Sequence, residues 1–129
     1  MSIKQEIAKV ESFHEAFKQK NGTGPALLTT EEAELRHRLM AEENDEYLEA
    51  CDKDNIVEIA DALGDQLYIL CGTILKHGLQ HKIEEIFNEI HLSNMSKLDA
   101  DGNPILREDG KIMKSNRYFK PDIEKIVYK

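Results

Sequence analysis

Residues 56–75 read IVEIADALGDQLYILCGTIL. Apart from Glu58, Asp61 and Asp65 the run is uncharged, and no Lys or Arg within it neutralises those three acids. Its length and freedom from proline predict a helix. At about 100° per residue, positions i, i+3 and i+7 fall within about 60° of one another. Three carboxylates therefore share one stripe of a helix that reads as buried on most other sides. An unpaired buried carboxylate is costly unless it takes up a proton. Three in line call for a cation, and a divalent metal facing the stripe meets that demand.

The partner stretch lies just upstream. Residues 35–49, LRHRLMAEENDEYLE, carry Glu42, Glu43, Asp45, Glu46 and Glu49. Leu35, Leu39, Glu42 and Glu46 follow one line of a helix, so an apolar line turns acidic partway along, whereas a solvated charged face would lie opposite the leucines. Two adjacent helices are thus expected to present carboxylates to one site. The motifs are Glu43-x-x-Glu46 and Glu58-x-x-Asp61. An i, i+3 spacing stacks two side chains on one helix face. Two such pairs on antiparallel neighbours can surround one or two hard cations with oxygens, the donor set Mg²⁺ shares with substrate phosphates. Either pair alone is common on solvated helices; the second pair, set in a nearly apolar helix, gives the combination its weight.

The remainder of the chain reads as a frame for this pair. Ser2 is placed to cap a helix over residues 3–20, with Ile3, Ile7, Val10, His14 and Phe17 on its apolar line. His14 on that line is either a satisfied core histidine or the wall of a ligand pocket. Residues 21–28, NGTGPALL, form a loop. Thr29-x-x-Glu32 is a capping box that starts the second helix, which runs to about Cys51. Asp54 or Asn55 caps the third, which ends at His77 with Gly78 beyond it. A fourth helix covers about 81–97, with Ile83, Ile86, Phe87 and Ile90 on its buried side. Asp101-Gly102 and Asp109-Gly110 signal turns around Ile105-Leu106 and Ile112-Met113, predicting a short β-hairpin, and Pro121 precedes a final short helix or extended tail. The expected fold is all-α: a single domain over 1–129 with core helices over about 3–97 and a C-terminal extension over 98–129.

Composition limits the function classes. A chain of 129 residues has length for one core. Its net charge of −8 and lack of a clustered Lys/Arg run argue against a nucleic-acid backbone as partner. The acids crowd residues 31–65 and many basic residues follow Lys97, a polarity that suits a metal-holding site beside a phosphate-contacting tail. The richest apolar run is broken by its three acids and does not read as a membrane span, and the N-terminal segment lacks a signal peptide's apolar core, so a cytoplasmic location is expected. Cys51 and Cys71 form no CxxC and read as small apolar residues.

Competing metal chemistries fit less well. A di-iron bundle needs Glu-x-x-His on two inward faces. Glu11/His14 and Glu34/His37 match the spacing, but the latter faces away from the leucine line and the third and fourth helices offer none. His77 and His81 are separated by the helix-ending Gly78. Asp99-x-Asp101-x-Asn103 begins like a calcium loop, yet Pro104 and Gly110 stand where an EF-hand needs Gly and Glu. P-loop, GxSxG and dinucleotide-binding glycine motifs are absent.

At these residues the chain resembles the all-α nucleoside triphosphate pyrophosphohydrolases, the MazG-like superfamily that includes phosphoribosyl-ATP pyrophosphohydrolases and dimeric dUTPases. The resemblance rests on Glu42-Glu43-Asn44-Asp45-Glu46 followed by Glu58-Ile59-Ala60-Asp61, on FHEAF at 13–17, and on SNMSK within the segment beginning EIHL. It implies a four- to five-helix bundle-type subunit with a short C-terminal hairpin or tail, dimerising through its helices as a homodimer or dimer of dimers. It implies Mg²⁺-dependent hydrolysis of an NTP or dNTP to the monophosphate and pyrophosphate, with Mn²⁺ as a substitute. Glu43, Glu46, Glu58 and Asp61 match the metal ligands, and Glu42 matches a position that activates water or binds a further metal. Asn94 and Lys97 match a segment contacting nucleotide or phosphates; His14, Phe17, Asn94 and Tyr118 are candidates for the base pocket, and Lys97, Arg107, Lys111 and Lys114 for stabilising the leaving pyrophosphate. One departure matters: many relatives carry an acid three residues before Asp65, where this chain has Ala62, so Asp65 is expected either to support the ligands or the substrate or to be a helix residue satisfied some other way. Phosphoribosyl-ATP and dUTP are alternative substrates on the same fold. A non-catalytic dimeric module binding a nucleotide or protein is the competing class.

Overall fold

The structure, a computed structural model, describes residues 2–129. Among them five helices are followed or interrupted only by loops and one short hairpin: α1 (Lys4–Ala16), α2 (Thr30–Asp52), α3 (Ile56–Lys76), α4 (Ile83–Met95), β1 (Ile105–Leu106), β2 (Ile112–Met113) and α5 (Ile123–Val127). The chain divides into two compact units, residues 1–81 and 82–129.

In the first unit, α2 and α3 form an antiparallel hairpin with α1 packed along α3. The helix ends follow the backbone chemistry. Thr29 Oγ1 accepts from Glu32 N at 3.2 Å, as the capping box requires. Asn55 Oδ1 accepts from Val57 N and Glu58 N and opens α3. Gly78, at φ +66°, closes α3, with Leu79 N bonded to Ile74 O and Gly78 N to Leu75 O. The same closure ends α1 earlier than expected, at Ala16. Lys18 takes φ +57°, Lys18 N bonds Glu15 O and Gln19 N bonds His14 O. The loop after α1 packs on the end of α3, where Gly22 N donates to Leu75 O and Ala26 N to His77 O. That approach leaves no room for side chains: a Cβ on Gly78 would lie 2.0 Å from Gly24 O.

The buried helical residues of this unit are Ile7, Val10 and His14 on α1, Arg36 and Ala50 on α2, and Ala62, Cys71, Gly72 and Leu75 on α3. Three expectations need correction. The inward line of α2 runs Arg36–Glu43–Ala50, seven residues apart, with Glu43 half-buried, while Leu35, Glu42 and Glu46 are exposed. On α3 the apolar run is covered on one side only; Ile56, Val57, Leu63, Leu67 and Leu70 are exposed, because α1 and α2 together cover one flank. Phe17 is also exposed and stacks on Phe13 at 4.5 Å between ring centroids.

In the second unit, Asp122 Oδ1 caps α5 by accepting from Lys125 N, and α5 packs on α4. On α4, Ile86 and Ser93 are buried, but Phe87 and Ile90, expected inside, are exposed. The serines of SNMSK hold the tail: Ser93 Oγ donates to Phe119 O at 2.7 Å, Ser96 Oγ accepts from Phe119 N at 3.1 Å, and Ser115 Oγ donates to Ser96 O at 2.9 Å. The hairpin pairs Ile105 with Met113 and Leu106 with Ile112, antiparallel, and Gly110 takes φ +86° at its turn. No helix among the described residues is long and apolar enough to cross a membrane.

Candidate active site

Two turns into the α2–α3 hairpin, the helices bring three carboxylates together. Oxygens of Glu43, Glu46 and Asp65 lie within 4.8 Å of one another, the one such grouping of His, Cys, Asp or Glu among the described residues. Glu43 and Glu46 share a face of α2 through their i, i+3 spacing, and Asp65 meets them from α3. Gln66 and Asn44 tie the two helices beside the cluster, Gln66 Nε2 donating to Asn44 Oδ1 at 3.0 Å.

Glu43 is the member most removed from water. Its Oε2 is buried and has no hydrogen-bond partner, a condition shared among the described residues by Gln80 Oε1 alone. Burial raises the Glu43 carboxyl first; the adjacent Glu46 carboxylate, then Asp65 and Asp61, raise it further, to about 7. An acceptor oxygen kept from water, with like charges around it and no donor, is the environment that a divalent cation completes. An all-oxygen set of carboxylates matches Mg²⁺ or Mn²⁺, which pair hard oxygens with retained waters and phosphates. The residues present fit such an ion, with Glu43, Glu46 and Asp65 as the oxygens that would hold it.

The other expected ligands stand apart from the three-oxygen cluster. Asp61, one turn before Asp65 and exposed, acts on Glu43 through its charge. Glu58 is exposed near the start of α3, with Oε2 3.8 Å from Lys53 Nζ. Asp65, expected in a supporting role, is a full member. Its signal in the sequence was its place in LGDQLY, the most apolar part of the acidic helix. Glu42 is exposed beside Glu43.

A cavity of about 190 Å³ opens between α1, α2 and α3, lined by residues including Phe13, His14, Arg36, Leu39 and Tyr68. His14 is therefore both a buried residue and a pocket wall. Its Nδ1 donates to Asn21 Oδ1. Phe13 and Tyr68 meet edge to face, 5.6 Å between centroids. Arg36 was not singled out by its sequence, where it sits among charged neighbours, yet it is 8% exposed. Its Nε donates to Thr73 Oγ1 at 3.1 Å and its Nη2 to Ile69 O at 2.9 Å. Gly72 makes room for both buried groups: a Cβ there would lie 2.6 Å from Arg36 Nη2 and 3.1 Å from His14 Nε2. The remaining predicted contacts belong to the second unit. Asn94 is exposed on α4, Lys97 is half-buried, and Lys114 Nζ lies 4.6 Å over the Tyr118 ring.

Comparison with known proteins agrees with this helical frame. No match is found among curated proteins. The family model described as phosphoribosyl-ATP pyrophosphohydrolase matches residues 10–94, more than half of the chain and all of the acidic cluster. The chain therefore belongs to the phosphoribosyl-ATP pyrophosphohydrolase family, within the MazG-like superfamily, whose members are pyrophosphohydrolases acting on nucleotides.

Proposed function

We propose that this protein hydrolyses a nucleoside triphosphate, an NTP or dNTP, to the monophosphate and pyrophosphate in a Mg²⁺-dependent reaction at the Glu43–Glu46–Asp65 cluster. The observation that carries this reading is the buried, unpartnered Glu43 Oε2 among three converging carboxylates. Asp61 and Glu58 extend the acidic stripe along α3 toward a further cation or the metal's waters. Bound there, the ion would offset polyphosphate charge and acidify a coordinated water. Glu42 is the base assigned to the attacking water. The water oxygen forms a bond to the α-phosphorus, its proton passes to Glu42, and the bond from phosphorus to the bridging oxygen breaks, releasing pyrophosphate. Asn94, Lys97, Lys114 and Tyr118 are assigned to substrate contact on the strength of the resemblance, to be tested by alanine substitution.

The matched family's description favours phosphoribosyl-ATP as a second substrate to test. A homodimer is also part of the proposal. Leu63, Leu67 and Leu70 fall on one face of α3 and are exposed, beside a shallow groove of about 470 Å³ lined by residues including Met40, Ala41 and Leu70. Such a helical stripe is what a second copy would cover.

Calorimetric titration with Mg²⁺ tests the site directly. Binding by the wild type, weakened at least tenfold in Glu43→Gln, is expected. Equal binding by both would remove the cluster from the proposal.

A further inference from the structure

A buried guanidinium without a carboxylate partner is unusual, because long charged side chains are rarely buried unless paired. Arg36 is such a group. Two of its five N–H donors are used, by Thr73 Oγ1 and Ile69 O, and no ion pair to it occurs among the described residues. It lines the cavity between α1, α2 and α3, and among the described residues no hydrogen bond occupies its Nη1, which stays open to water. The same cavity carries the Phe13 and Tyr68 rings, flat apolar surface suited to a planar ligand.

The cavity is aligned with the acidic cluster. Its residues Leu39 and Tyr68 lie one turn from Glu43 and Asp65 on the same two helices. Arg36 lies farther away, seven residues from Glu43, which is about 10 Å along the helix. A nucleotide with its phosphates at the cluster would enter the cavity base first. The edge of the base farthest from the sugar would reach Arg36.

We propose that Arg36 selects the base, favouring one with a carbonyl oxygen at the purine 6 or pyrimidine 4 position over one with an amino group there. The inference rests on the pyrophosphohydrolase reading for the placement of the phosphates. A guanidinium only donates hydrogen bonds. A carbonyl accepts from it, whereas an amino group presents hydrogens to hydrogens and leaves both buried groups unpaired. Guanine, hypoxanthine, uracil and thymine offer Arg36 a carbonyl oxygen at that position; adenine and cytosine offer an amino group there. Substrates of this chain would then differ from phosphoribosyl-ATP, an adenine derivative.

The test is calorimetric binding of inosine, adenosine, uridine and cytidine 5′-monophosphates to the full chain, which needs no turnover. Inosine over adenosine and uridine over cytidine, each by about tenfold or more, is the expected result. In Arg36→Met, and in Arg36→Lys, which keeps the charge but loses the planar fork, both ratios fall to within about twofold. Equal binding of the two members of each pair by the wild type overturns the inference even if no variant folds. So do undetectable binding of all four, ratios that survive in a folded variant, and an equal loss of affinity for all four, which would mark Arg36 as a helix tie only. A preference for the carbonyl members in a protein that releases no pyrophosphate would instead keep the inference and remove the reaction.

Discussion

Glu43 concentrates the chemistry of the site in one side chain. Its Oε2 is buried without a donor, and its carboxyl is raised from 4.5 to about 7 by burial and then by its acidic neighbours. An acid whose folded pKa lies above its unfolded value holds a proton more tightly when folded. Glu43 therefore supports stability fully at low pH and withdraws that support as pH rises from about 4.5 to about 7. In chelator, the melting temperature of the wild type is expected to fall across that window relative to Glu43→Gln, which has no carboxyl there to ionise. Saturating Mg²⁺ should reverse the difference at pH 7, because the ion stabilises the ionised form. Parallel melting curves for the two proteins at every pH would show that Glu43 feels no such burial. Asp65→Asn is expected to lower kcat at least tenfold, and Glu58→Gln, paired with Lys53 at the helix end, to cost less.

At the scale of the helices, termination is where residue identity decides most. Gly78→Ala combines left-handed strain, about 1–2 kcal/mol, with a collision against Gly24 O at 2.0 Å. It should exceed the roughly 1 kcal/mol of Thr29→Ala, which loses one capping bond. Gly72→Ala should cost about 1–3 kcal/mol by overpacking against Arg36 and His14. Urea unfolding of the three variants checks the order, and a Gly78→Ala protein as stable as Thr29→Ala would contradict it. These ends were legible in the sequence because caps and left-handed turns are local: Thr29, Asn55, Gly78 and the two Asp-Gly turns stand where expected. The end of α1 was not, since Lys18 rather than a glycine takes the left-handed turn. The rotation of α2 and α3 was also hidden. Helical spacing places Glu58, Asp61 and Asp65 on one stripe. Which of them meets Glu43 is set by the axial register of the two helices about their short connection: Asp65 lies across from Glu43, whereas Glu58 lies seven residues, about 10 Å, nearer the turn.

For the whole molecule, one chain leaves Leu63, Leu67 and Leu70 uncovered. Sedimentation is expected to give a dimer, and Leu63→Arg with Leu67→Arg to give a monomer that retains helical circular dichroism. A monomeric wild type would leave that face without its proposed occupant. Family membership and the acidic cluster together lead to one reaction, and pyrophosphate release tests it most directly. The measurement uses Mg²⁺, the eight common NTPs and dNTPs and phosphoribosyl-ATP, with Asp65→Asn beside the wild type. Release from one or a few nucleotides by the wild type, lost on removal of Mg²⁺ and at least tenfold lower in Asp65→Asn, is the predicted result. Release that persists in Asp65→Asn, or no release from any of these substrates with Mg²⁺ or Mn²⁺, would contradict it.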